Sequence, residues 1–361
     1  MLDHDKLIRC IKKNSHRLDA PIFNNQDDTL QKLREKLKSH DKLQVTHQVI
    51  SQNGGYSVLG VDGSQVHPDR SMSRVWCGLV NIGGIALHYS KSSRVEFFSS
   101  PEIVFESDCA PFGLSPETID LMRTARELEL ACDWALQIQE TTGNSPLVLI
   151  DGNLLFWFLD SKSDALKSHF FKRYCAALER LAENHIVTAS YVSAPRSCDL
   201  LTMIWKPYST GSGRSESIFC DADLLADWLL EFHRTEFFPM TTAMAQEYSP
   251  QTRPWFCYFN VGDEIVRIEV LGWMVQNDRE NKDSVIECVL SQICDQALKG
   301  RGYPVALSEA HERAVIKTSD RLTFFQSLDR LQLGQSISQS GEVFSRSLGS
   351  QKALKKRIVA I

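Results

Sequence analysis

The chain has 361 residues, of which 43% are hydrophobic and 24% charged, a composition typical of a soluble globular protein. Its 45 acidic residues outnumber its 40 basic residues, so the net charge of −5 does not indicate a dedicated nucleic-acid binder, which usually carries a basic surplus. No apolar run predicts a transmembrane helix, no signal peptide begins the chain, and ten scattered cysteines without a Cys-x-x-Cys pair favour reduced thiols and a cytoplasmic location.

Helical periodicity dominates the first 50 residues. The apolar positions that recur at the spacing of one helix face are Leu7, Ile8 and Ile11, followed by Leu30, Leu33 and Leu37. We therefore expect an N-terminal helical extension over residues 1–50. A main domain over 51–345 and a basic C-terminal tail over 346–361 complete the predicted organisation.

Two apolar segments end in the same way, each on an aspartate followed by glycine. Residues 56–62 end at Asp62, and residues 147–151 end at Asp151. A carboxylate at the end of a central strand lies where open α/β sheets bind their ligands, and the glycine lets the backbone turn sharply. One Asp-Gly pair is also an ordinary turn. Because the motif occurs twice, we interpret the two aspartates as two halves of a metal site.

The segment between these motifs contains strands and then a long helix. Residues 75–89 predict one or two strands with a tight turn at Gly83-Gly84. Ser115 is a suitable N-cap and Pro116 suits the first helical position, so a helix is expected from 116 to 142. Gly143 and the residues that follow it end this helix before the second Asp-Gly strand.

The downstream half alternates helices and strands, which together with the early strands predicts a mixed α/β fold. The predicted elements are a helix over 163–184, a strand over 186–192, a polar loop over 207–217, a hairpin of 255–261 and 265–270, a helix over 284–299, and a helix over 308–316 that carries His311.

The helix over 116–142 offers two glutamates as a third carboxylate. Glu129 lies on one apolar stripe, which is formed by Met122, Ala125, Cys132 and Leu136. An unpaired carboxylate facing the core or the sheet edge is costly, so its position favours a ligand role. Glu127 points roughly 160° away on a regular helix and is the alternative ligand. An ion pair with Arg123 or Arg126 is the alternative role for Glu129.

Three further side chains carry suitable chemistry. A neutral His311 imidazole can bind Mn²⁺, position a water or pass a proton. Tyr191 can hold a phosphate or stack on a base, and Arg196 is a natural phosphate fork. Each alone has an ordinary role, as a packed histidine or a strand tyrosine, so the interpretation depends on the joint pattern.

The joint pattern favours metal-assisted phosphodiester cleavage. That chemistry needs carboxylates from separate elements to converge on one or two divalent ions, which prefer oxygen ligands. A haloacid-type phosphatase is excluded because its motif requires an aspartate at position 60, which is Gly60. The spacing of a phosphate-binding Gly-x-x-x-x-Gly-Lys loop does not occur either.

The order of these features resembles the NurA nuclease family over residues 56–325. The segments that carry the resemblance are 60–64, the helix with Glu127 and Glu129, 149–154, 191–197, 258–262 with 266–270, and 301–311. The last is the most specific, because Gly302-Tyr303-Pro304 is followed by a helix that contains Ala310-His311.

The resemblance implies an RNase H-like mixed sheet flanked by helices, with N-terminal helices and inserted loop and helical segments. It implies a Mn²⁺-dependent deoxyribonuclease, with Mg²⁺ possible, that cuts single-stranded DNA and resects duplex ends 5′ to 3′. It also implies a homodimer that acts with a HerA-type hexameric ATPase, in DNA repair or in defence against foreign DNA, without a membrane. By the same resemblance, the metal ligands are Asp62, Glu129 or Glu127, Asp151 and His311, and Tyr191 assists.

Two other functions fit the same residues. A non-catalytic adaptor of this family would dock on a DNA-translocating ATPase and guide DNA. An RNase H-type enzyme would use the same site on RNA.

Overall fold

A mixed β-sheet organises the protein in the computed structural model, which describes residues 26–40, 43–73, 75–90, 93–204, 219–280 and 284–340. Ten strands are present in these ranges, and all belong to this sheet. They are β1 (Thr46–Gln48), β2 (Tyr56–Val66), β3 (Cys77–Tyr89), β4 (Arg94–Phe105), β5 (Leu147–Asp151), β6 (Thr188–Val192), β7 (His233–Thr235), β8 (Phe238–Pro239), β9 (Pro254–Asn260) and β10 (Ile265–Leu271).

Ten α-helices accompany the strands in the same ranges. They are α1 (Gln26–Lys38), α2 (Pro116–Thr142), α3 (Asp164–Glu183), α4 (Asp199–Ile204), α5 (Asp221–Leu225), α6 (Ala243–Gln246), α7 (Gly272–Glu280), α8 (Val285–Lys299), α9 (Val305–Ala314) and α10 (Thr318–Ser340). The helix predicted around Leu7, the polar loop 207–217 and the basic tail lie outside the described residues. No described helix is long and apolar enough to cross a membrane.

The chain divides into two compact units. The larger comprises Val49–Ser193, Phe237–Cys257 and Arg267–Ile361, and the smaller comprises Met1–Gln48, Ala194–Glu236 and Tyr258–Val266. In the smaller unit, the buried carboxylate of Asp221 accepts hydrogen bonds from the Leu200 and Leu201 amides and from the Tyr258 hydroxyl. The domain boundaries at 50 and 345 stay a prediction.

The larger unit contains the parallel centre of the sheet. Its strands follow the order β10-β6-β5-β2-β3-β4. The pairs β2–β5 and β5–β6 are parallel, whereas β2–β3, β3–β4 and β6–β10 are antiparallel. The predicted mixed α/β fold, a mixed sheet flanked by helices, is therefore confirmed.

Glycines allow helices to approach both faces of β2. A Cβ at Gly63 would lie 2.5 Å from Glu127 Oε1 on α2, whereas a Cβ at Gly60 would overlap the Ala306 carbonyl on α9. Positions 60 and 63 point to opposite faces of a strand. A Cβ at Gly83, on the neighbouring strand, would come within 2.5 Å of the Ala314 amide, also on α9. Thus α2 and α9 cover opposite faces, and α9 lies almost directly on the strand backbone.

Replacing Gly60 by alanine should destabilise the protein by about 2 kcal/mol, because the added methyl group overlaps the backbone of α9. The measurement is urea unfolding followed by circular dichroism. Gly143→Ala is the matched control, since its Cβ would meet nothing within 4 Å and only its φ of 72° opposes the change. A smaller loss for Gly60→Ala than for Gly143→Ala would contradict the contact.

Two predicted strand boundaries are wrong, because glycines that suggested turns lie inside strands. β2 does not end at Asp62 but continues to Val66, with Asp62 paired to Gly83. β3 runs straight through Gly83-Gly84, where a turn was predicted, and β4 follows it. These glycines serve close packing, because a Cβ at Gly84 would lie 2.7 Å from the Trp134 ring of α2.

The long helices are largely as predicted. Ser115 caps α2 by accepting the Thr118 amide, Pro116 begins the helix, and Gly143 ends it. The predicted hairpin is present as β9 and β10, whose turn has the Val261 amide donating to the Glu264 carbonyl. The His311 helix begins at Val305, three residues before its predicted start, and ends at Ala314.

Candidate metal centre

Parallel register brings the two aspartates together. The β2–β5 ladder ends with Val61 opposite Ile150, so Asp62 and Asp151 occupy the next position on each strand. Asp151 ends β5, and Gly152 follows with a φ of 88°, a conformation that favours glycine. The protein around the Asp151 carboxyl desolvates it and raises its pKa, and the negative charge of Asp62 raises that pKa further.

His311 lies over Asp62. Its Nδ1 is 2.8 Å from Asp62 Oδ2, while the Gly63 amide donates to Asp62 Oδ1 at 2.8 Å. The imidazole is 64% exposed, whereas the Asp62 side chain is 20% exposed. The structure therefore brings together Asp62, Asp151 and His311 as predicted, with the histidine on the solvent side.

The third carboxylate at this place is Glu127. Burial raises its pKa to about 7; its ion pair with Arg123 lowers the pKa, and the charges of Asp62 and Asp151 raise it. On α2, Glu127 shares the sheet-facing side with Arg123, which also lies over Gly63. Three carboxylates from β2, β5 and α2 therefore repel one another at one point.

Glu129 lies elsewhere, so its predicted placement beside the aspartates is wrong. Its carboxylate accepts hydrogen bonds from Arg173 at 2.8 and 3.0 Å and from Arg126 at 3.1 Å. Burial favours a raised pKa, but these two arginines hold the pKa of Glu129 below its usual value. Glu129 therefore faces Arg173 on α3 rather than the two aspartates.

Tyr191 is a buried support and not an exposed contact. It pairs with Asp151 across β5 and β6, but it is 0% exposed and its hydroxyl donates to the Gly302 carbonyl at 2.8 Å. A fully buried ring has no free face for a base, so the predicted stacking of Tyr191 on a base is wrong. The Tyr191 ring packs edge-to-face on Tyr303 at 5.5 Å.

Tyr303 is a site residue that the sequence analysis missed. Its hydroxyl hydrogen-bonds to Asp151 and lowers the pKa of that carboxyl. The Gly302-Tyr303-Pro304 motif was noticed, but its position in a connection without periodicity gives no sign of where the hydroxyl points. Arg196 is exposed in the smaller unit, and its DNA contact stays a prediction.

The donor set fits a divalent cation by its chemistry. Across the described ranges, no three His, Cys, Asp or Glu side chains are grouped so that they could hold an ion as they stand. Glu127 is engaged by Arg123, and Asp62 by His311. Burial, together with the charges of neighbouring carboxylates, raises the pKa values of Glu127 and Asp151, and a cation would stabilise their ionised forms. Oxygen donors with one imidazole suit Mn²⁺. A cation at this place would compete with Arg123 for Glu127 and with His311 for Asp62.

A surface groove of about 570 Å³ lies along α3. Its lining includes none of the candidate site residues, which are Asp62, Glu127, Asp151 and His311. Its lining carries Lys167 and Lys172 against Asp164, Glu179 and Glu247. This mixed charge does not mark a path for DNA.

The fold and the cluster define an α/β protein with an acidic site where the parallel pairing of β2 and β5 ends. The model of the NurA domain matches residues 56–316, and the chain belongs to the NurA family. A search of curated proteins finds no match.

The solved structures that are similar to this chain include the following three. The NurA nuclease from Sulfolobus solfataricus is 14% identical with a TM-score of 0.57, and the match covers 94% of this chain and 99% of that one. A structure described as NurA is 12% identical with a TM-score of 0.48, covering 84% and 93%. A structure described as NurA bound to dAMP and manganese is 12% identical with a TM-score of 0.41, covering 84% and 94%. At these identities the first structure shows a shared fold.

Proposed function

We propose that the protein is a metal-dependent deoxyribonuclease. The observation that carries the proposal is the convergence of Asp62, Asp151 and Glu127 with His311, in a chain that belongs to the NurA family. Acidic residues from three separate elements are what metal-assisted phosphodiester hydrolysis requires.

The residues have distinct roles in this proposal. Asp62, Asp151 and Glu127 would hold Mn²⁺, with Mg²⁺ as the substitute, and the ion would supply Lewis-acid activation of the phosphate. His311, exposed and hydrogen-bonded to Asp62, exchanges a proton with the attacking water or the leaving oxygen. Tyr303 orients Asp151, and Tyr191 supports Tyr303. Glu129 stabilises the packing of α2 on α3.

The finer properties proposed with this activity are those that the resemblance to the NurA family implies. They are cleavage of single-stranded DNA, 5′ to 3′ resection of duplex ends, a homodimer, a HerA-type ATPase partner and a cytoplasmic role in repair or defence. A delivering ATPase would also reconcile DNA cleavage with a net charge of −5.

The test is a gel assay of the purified full chain on end-labelled single-stranded and duplex DNA, with Mn²⁺ or with chelator. We expect cleavage with Mn²⁺ and none with chelator. Absence of cleavage, alone and with the ATPase, would overturn the proposal in favour of the adaptor. Faster cleavage of a matched RNA would instead favour an RNase H-type enzyme.

A further inference from the structure

Two adjacent aromatic side chains are exposed on the loop that follows Asp151. Trp157 is 40% exposed and Phe158 is 71% exposed, in a short 3₁₀ turn. Trp157 follows Asp151 by six residues, so the span between them is at most about 20 Å even if the chain were fully extended. Adjacent exposed aromatic side chains form an apolar surface that a partner or ligand can cover.

The backbone of this loop is anchored immediately before the two aromatic residues. The Leu154 amide donates to Glu269 Oε2 at 2.8 Å, and the Tyr174 hydroxyl donates to the Leu154 carbonyl at 3.0 Å. The Phe156 amide donates to the Tyr248 hydroxyl at 3.0 Å. Glu269 is itself buried and paired with Arg267 at 2.8 Å. A buried ion pair and two buried tyrosines therefore fix this part of the backbone.

The apolar residues that flank the aromatic pair are buried. These residues are Leu154, Leu155, Phe156 and Leu159, each between 0% and 2% exposed. The anchored sequence thus buries four apolar side chains and leaves two aromatic ones outside. Because the flanking side chains are buried, the turn is packed against the protein, and this packing leaves Trp157 and Phe158 at the surface.

We propose that Trp157 and Phe158 form a stacking platform for unpaired bases of the strand held at the metal centre. The inference rests on the proposed function: DNA is taken as the ligand of these rings because their loop continues directly from Asp151. Stacking on an aromatic ring is available to every base and contributes about 1–3 kcal/mol per base. Bases within a duplex have no free face, so the platform favours single-stranded DNA over paired DNA without reading its sequence.

The first test measures binding with chelator present, so that no cleavage occurs. Affinities of the wild type, Trp157→Ala, Phe158→Ala and the double variant are compared on an oligothymidylate and on the same strand with abasic sites. The double variant should bind the oligothymidylate about 10-fold to 100-fold more weakly. Its affinity for the abasic strand should be unchanged. Phe105→Ala, which removes an exposed phenylalanine from β4, is the matched control and should have no effect.

An equal loss on the abasic strand, or no loss on the oligothymidylate, would overturn the platform. So would conversion of a dimer to a monomer in sedimentation with DNA binding unchanged, because the patch would then be a protein interface. Cleavage of a nitrophenyl phosphodiester, which has no bases, distinguishes failure of the platform from failure of the proposed nuclease function. The double variant should retain that activity, whereas a wild type that cuts neither substrate would contradict the nuclease itself.

Discussion

Replacing Asp151 by asparagine is expected to reduce Mn²⁺-dependent DNA cleavage by about 10³-fold or more, because the change neutralises a carboxylate that the proposed function assigns to the metal. The fold should persist, since Asp151 ends a strand and its carboxylate is repelled by Asp62. Initial rates with saturating Mn²⁺ and thermal unfolding by circular dichroism measure the two effects.

Asp160→Asn is the control for Asp151→Asn, because it removes an exposed aspartate from the same loop. It should retain activity. Cleavage by Asp151→Asn at the rate of this control would disprove the site assignment. Asp62→Asn should match the loss seen for Asp151→Asn, and it should also remove the negative charge from the partner of His311.

Replacing Glu127 by glutamine should abolish cleavage and raise the stability of the metal-free protein. The pKa of Glu127 in the folded protein is about 7, above its ordinary value of 4.5. The folded state therefore binds a proton that the unfolded state releases between pH 4.5 and 7, so this group favours folding at low pH and opposes it at high pH. At pH 8 the neutral amide should stabilise the metal-free protein by up to about 3 kcal/mol. Urea unfolding across this pH range measures the difference, which should vanish below pH 4.5.

Glu129→Gln provides the matched comparison. Its carboxylate is stabilised by Arg126 and Arg173, so the change should destabilise the protein by about 1 kcal/mol and preserve cleavage. Loss of activity in Glu129→Gln with activity retained in Glu127→Gln would restore the original prediction from the apolar stripe.

The choice between these glutamates shows where sequence periodicity stops being informative. A helix that packs against a sheet on one side and another helix on the other has two buried faces. Ala125 and Cys132 are 0% exposed on the stripe that predicted Glu129, yet Arg123 and Glu127 face the sheet. Periodicity identifies burial but cannot identify which neighbour buries a face.

Local chemistry was the more reliable guide elsewhere. The end of β5 at Asp151, the cap at Ser115 and the helix carrying His311 depend on residues close in sequence, and the structure confirms them. The continuation of β2 and the hydroxyl of Tyr303 on Asp151 depend on partners far along the chain. Such partners leave no trace in local composition.

The absence of side chains at Gly60 and Gly83 lets α9 pack close enough to the sheet for His311 to contact Asp62. Larger side chains at these positions would move α9 away from the sheet. The His311 imidazole would then lose its 2.8 Å contact with Asp62. A family member could then retain every acidic residue and the histidine and still be unable to assemble them. These two glycines are therefore part of the diagnostic signature of an assembled site, although neither carries a functional group.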